Sequence, residues 1–107
     1  MTTLAEQKTE APQAGMKPLS RAEAEKLAAE LPQWTLKDRA IEREFKFKDF
    51  LEAIDFVNEV ARVAQAADHH PDIQISYNKV RLEFSTHKIG GLSKNDFVLA
   101  ARVDKLA

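Results

Sequence analysis

The 107-residue chain has no cysteine. That excludes a disulfide scaffold, a zinc finger, an iron–sulfur site and a thiol nucleophile together. It also lacks a charge excess of either sign: 16 Lys and Arg stand against 17 Asp and Glu, for a net charge of −1. A general nucleic-acid binder normally carries a basic surplus. No apolar run approaches the roughly 18 residues that a membrane span requires. Glycine is scarce, with three in the chain, and neither a Gly-x-Ser-x-Gly elbow nor a phosphate-binding loop occurs. Residues Met1-Thr2-Thr3-Leu4-Ala5-Glu6 do not have the basic-then-apolar layout of a signal peptide, so the expectation is a cytoplasmic protein with no membrane contact and no direct nucleic-acid partner.

What is present reads as one domain with an N-terminal extension. Residues 1–17 show no apolar periodicity, which predicts a flexible tail, and residues 18–107 form the folded unit. Ser20 and Glu23 have capping-box spacing ahead of a short helix that Pro32 must stop. Trp34-Thr35-Leu36 and Ala40–Phe47 read as two strands joined through Lys37-Asp38-Arg39. In the second, Ile41, Arg43, Phe45 and Phe47 share a face, and only Arg43 interrupts the apolar pattern.

From Asp49, a plausible N-cap, to about Ala67 the period changes to 3.6. The stripe is read as Phe50, Ile54, Val57, Ala61 and Ala64, broadened by Leu51, Phe56, Val60 and Val63. Pro71 ends this helix and places Asp68-His69-His70-Pro71 at a helix-to-strand corner. Ile73–Tyr77 and Val80–His87 alternate as a hairpin turning near Asn78. After Gly90-Gly91, Ser93 and Asp96 open a last helix as N-cap and N3 residues. The order αββαββα predicts an α+β fold, a four-stranded antiparallel sheet with helices packed on one face.

The reactive groups left are three histidines, and imidazole is the side chain that gives and takes protons most readily near neutral pH. His69 and His70 are adjacent, and His87 ends a strand on its polar side. Each, taken alone, is more simply a polar residue at an element end. Adjacent residues diverge, so His69-His70 does not have the one-turn spacing of a chelating pair, and no metal site is expected. Asp96 is explained by capping alone, and Trp34 and the phenylalanines by the core.

Four blocks change that balance. Asp68-His69-His70-Pro71, Tyr77-Asn78-Lys79-Val80, Ser85-Thr86-His87 and Gly91-Leu92-Ser93 with Asp96 resemble, in order and spacing, the pterin-4a-carbinolamine dehydratase family. An animal member of that family doubles as a dimerisation cofactor of a homeodomain transcription factor. The likeness runs from about Leu19 to Val103.

The resemblance implies elimination of water from a 4a-hydroxytetrahydropterin, to give the quinonoid dihydropterin, by a homodimer or homotetramer that needs no cofactor. It implies that His69, His70 and His87 do the acid–base work with Asp96 in support, and that Asp68, His69, His70, Ser85, Thr86 and His87 bind the pterin. Two positions depart from the family pattern. Gln65 stands where an acidic residue is usual, and a neutral amide can only hydrogen-bond where a carboxylate could hold an imidazolium. Ile73 stands where tryptophan is frequent. These departures leave open a paralogue acting on another pterin, such as a molybdopterin-related one, or a non-enzymatic binding or assembly factor on the same scaffold.

Overall fold

The computed structural model describes residues 3–10 and 15–107. Helix α1 is Arg21–Ala28, strands β1 and β2 are Thr35–Leu36 and Ile41–Lys46, and helix α2 is Phe50–Ala67. Strands β3 and β4 are Asp72–Ser76 and Lys79–Phe84, and helix α3 is Lys94–Asp104. All strands are antiparallel, in the order β1-β2-β4-β3. This is the α+β arrangement that the sequence predicts.

The capping chemistry forms as read. Ser20 N donates to Glu23 Oε1 at 3.0 Å while Glu23 N donates to Ser20 Oγ at 3.1 Å. The Ser20 backbone N–H, and after it the hydroxyl, hold the Glu23 carboxyl below its usual range. This cap is therefore present at neutral pH and is lost as acid protonates the carboxylate. Asp49 Oδ1 accepts from Glu52 N at 2.9 Å at the head of α2. The 37–39 turn closes with Lys37 N donating to Ala40 O.

Register explains which sheet face is buried. Ile41 lies opposite Phe84, Arg43 opposite Leu82 and Phe45 opposite Val80, and directly paired residues point the same way. These apolar residues form one core with Ala53, Phe56 and Val60 of α2 and Phe97, Leu99 and Val103 of α3. The other face carries Glu42, Glu44, Lys46, Arg81 and Glu83, none of them buried. Arg43, the interruption in the β2 pattern, is accommodated by charge and by π contact. Its Nη1 donates to Asp104 Oδ1 at 2.7 Å, and its guanidinium carbon sits 4.1 Å from the centre of the Phe45 ring. Trp34 Nε1 donates to the same Asp104 oxygen at 2.9 Å, so one carboxylate ties the C-terminus of α3 to β2 and to the segment before β1.

Two expectations shift. The buried row of α2 is Ala53, Phe56, Val60 and Ala64, while Phe50, Leu51 and Ala61 are exposed. The helix is rotated because the Phe56 ring seats against both Phe45 and Phe47, at 4.7 and 4.9 Å between centroids. The second concerns the 1–17 tail. Residues 1, 2 and 11–14 lie outside the described residues, but residues 3–10 lie along α3 with Leu4 in the core. A lone leucine has no periodicity, so pattern reading could not see it.

Gly91 is required by contact, since a Cβ there would stand 2.8 Å from Pro18 Cβ. Leu19 N donates to Leu92 O alongside, fastening the start of the domain to the loop before α3.

Replacing Asp104 with alanine leaves the Trp34 indole N–H and the Arg43 guanidinium without their shared acceptor. The expected loss is about 1–3 kcal/mol, read as a lower urea midpoint with unchanged m-value.

Candidate active site

The corner after α2 decides where the histidines go. Asp68 adopts a left-handed conformation at φ 51°, its N–H reaching Gln65 O at 3.2 Å, and His69 N reaches back to Ala64 O at 3.1 Å. This double bond pattern is the helix-stop motif in which one left-handed residue reverses the chain. Reversal turns His69 inward, and extended geometry before Pro71 turns His70 outward. His69 is 8% exposed, whereas His70 is exposed.

Inside, His69 lies parallel to Phe84 of β4, with ring centroids 6.1 Å apart and planes 8° from parallel. Its Nε2 is 2.6 Å from Asp96 Oδ1. Asp96 is fully buried at the N3 position of α3, and its second oxygen accepts from Thr86 Oγ1 and from Ser93 N, each at 2.9 Å. Thr86 Oγ1 has a single hydrogen, used on Asp96, so the 2.7 Å contact between the two hydroxyls is donated by Ser93. The carboxylate accepts every bond it makes here, which leaves the proton of the Asp96 contact on His69 Nε2. In that tautomer Nδ1 is the ring atom that carries the free lone pair.

The sequence-predicted residues therefore divide. His69, Asp96 and Thr86 form one buried network with Ser93. His70 is held separately, its Nε2 3.0 Å from Gln65 Oε1. His87 begins a short 3-10 turn, His87–Ile89, is exposed, and lies 3.4 Å through Nε2 from Ser85 Oγ. Asp68 is exposed and Ser85 half-buried. Thr86, read as a pterin contact, is 3% exposed and spends its hydroxyl on Asp96. Ser93 was read only as an N-cap, and its link to Thr86 is long-range information. Gln65 was noted only as a departure, although its five-residue offset from His70 across a helix stop is the signal that could have paired them. Among the described residues, no three His, Asp or Glu side chains converge to hold a metal ion.

The sequence profile described as Pterin 4 alpha carbinolamine dehydratase matches residues 17–106. The chain belongs to this dehydratase family. A protein of Methylococcus capsulatus, provisionally named a pterin-4-alpha-carbinolamine dehydratase, is 50% identical over 97 residues, covering 89% of this chain and 85% of its own. One of Picosynechococcus with the same provisional name is 51% identical, over 82% of this chain and 96% of its own.

Among solved structures, a Brucella melitensis protein described as a transcriptional coactivator/pterin dehydratase superposes with a TM-score of 0.81 at 32% identity. It covers 85% of this chain and 99% of its own. A pterin dehydratase-like protein identified as a RuBisCO assembly factor in the alpha-carboxysome shares the fold, with a TM-score of 0.57 at 23% identity over 69% and 86%. The family match thus covers the whole αββαββα unit and every residue of the network around Asp96.

Thr86→Val removes a donor from a fully buried carboxylate and an acceptor from Ser93. The variant is expected to lose about 1–3 kcal/mol in urea denaturation, and Thr86→Ser to recover most of it.

Proposed function

We propose that the protein dehydrates a pterin 4a-carbinolamine, with His69 as the principal proton-transfer group. The observation that carries this reading is the His69–Asp96 contact. A buried carboxylate that fixes one ring nitrogen as donor prepares the other for exchange with substrate. In the reaction the N5–H proton is removed, the C4a–N5 double bond forms, and the C4a hydroxyl leaves as water once protonated. Overall oxidation state is unchanged, so the elimination asks for an acid and a base and for no resident cofactor.

His69 and His70 share those two duties, and His87 orients or polarises the leaving hydroxyl. Asp68 and Ser85 contribute polar contacts to the ring. Gln65 holds His70 through a neutral amide, which orients the imidazole without placing a second carboxylate beside the substrate. The family relationship and the similarly named relatives support the substrate class, and the proposed location is cytoplasmic. The kinetic test uses synthetic 4a-hydroxytetrahydropterin in stopped-flow absorbance. His69→Ala and His70→Ala are each expected to lower kcat about 10²–10⁴-fold. Wild-type turnover in both would overturn the assignment, and no turnover by the wild-type protein would favour a binding role on the same scaffold.

The working unit we infer is a homo-oligomer, dimer or tetramer. Ile73 and Ile75 pair with Leu82 and Val80 and so face the helix side, yet they remain 37% and 42% exposed, because β3 lies beyond the edge of the helical layer. An uncovered apolar edge strand is a surface that a second copy can extend and bury. Ile75→Lys is expected to shift the sedimentation coefficient to that of a monomer. A wild-type protein already sedimenting at about 12.1 kDa would sink this inference.

A further inference from the structure

Six consecutive residues of α3, Asn95 to Ala100, are buried. A helix packed on a sheet normally keeps one side in water, and burial all round means that something covers the outer side. That cover is residues 3–10. Leu4 enters the core at 4% exposure. Arg102 donates through Nε to Ala5 O at 3.0 Å and through Nη2 to Gln7 O at 2.7 Å. At the other end of α3, Asn95 and Glu10 bond reciprocally: Glu10 N donates to Asn95 Oδ1 at 3.0 Å and Asn95 Nδ2 donates to Glu10 O. Residues 3–10 thus run antiparallel to α3 and grip it at two points about 10 Å apart along its axis.

The second grip has a consequence for the site. Asn95 is the residue before Asp96, in the same first turn, and Ser93 N in that turn donates to Asp96. We propose that residues 3–10 are a positioning strap that holds the first turn of α3 so that Asp96 stays in register with His69, with Asn95 as its positioning residue. The contact it protects is 2.6 Å long, and an oxygen displaced by 1 Å would no longer direct the imidazole. The strap is attached by one leucine and four hydrogen bonds. It can therefore be released without dismantling the β2–β4 core.

The kinetic consequence rests on the proposed dehydration, whereas the structural one does not, and the experiment reads both. Asn95→Ala removes the strap's grip on the first turn. Leu4→Asp lifts the opposite end, where Leu4 lies by Leu31 and Ala101, and leaves the Asn95 side chain unchanged. In both full-length variants, hydrogen exchange at Ser93 N–H is expected to accelerate about tenfold or more, and the ¹⁵N signal of His69 Nε2 to shift or broaden. With 4a-hydroxytetrahydropterin, kcat should fall about tenfold while KM stays within about twofold.

A Leu4→Asp protein that exchanges faster across residues 3–10 but keeps the wild-type Ser93 exchange and His69 signal would overturn the strap. So would spectral changes in both variants with kcat unaltered. An inactive wild-type protein would refute the dehydratase reading alone, since exchange and imidazole spectra still judge the strap.

Discussion

A carboxylate with no access to water must have its oxygens bonded, and Asp96 is such a group. Its two oxygens take three hydrogen bonds, from the end of α2 (His69), from the segment after β4 (Thr86) and from the loop before α3 (Ser93). Removing any one donor leaves the buried charge less fully compensated. The requirement that stabilises this part of the fold is therefore the same one that sets the orientation of the imidazole. Asp96 also sits at N3 of α3, where the helix dipole favours a negative group. Among the described residues, no lysine or arginine pairs with this carboxylate, and its compensation is made of hydrogen bonds, a helix end and one histidine.

The placement of His69 has a cost elsewhere. Asp68 occupies a left-handed position at which glycine is the easiest residue, because an L side chain crowds the backbone there. The helix stop it completes is what separates two adjacent histidines into one buried and one exposed. Pro71 then prevents the chain from relaxing back into helix. Local strain at one residue is thereby turned into different environments for the two histidines that follow it, one buried and one exposed.

Much of this was legible in the letters. The capping boxes at Ser20 and Ser93, the Asp49 N-cap, the αββαββα order and the corner at Asp68–Pro71 all follow from local chemistry, and local chemistry acts between neighbours in sequence. The α2 stripe was misplaced because periodicity defines an apolar arc without saying which part of it meets Phe45 and Phe47. Arg43 looked like an error in the β2 pattern until Asp104, 61 residues away, came into contact with it. Residues 3–10 were read as tail because one leucine among polar residues carries no period, and its burial depends on the outer side of α3 being open to receive it.

The amino-acid sequence by itself determined the element types, the family, and the residue types available for proton transfer. These depend on side-chain identity and near-neighbour spacing. Only the tertiary structure decided that Asp96 meets His69 rather than merely capping its own helix, that Thr86 serves the carboxylate, and that His70 is held by Gln65 apart from that cluster. The physical reason is that pairing of buried polar groups is settled by which distant segments exclude water together, and that is a property of the packed chain.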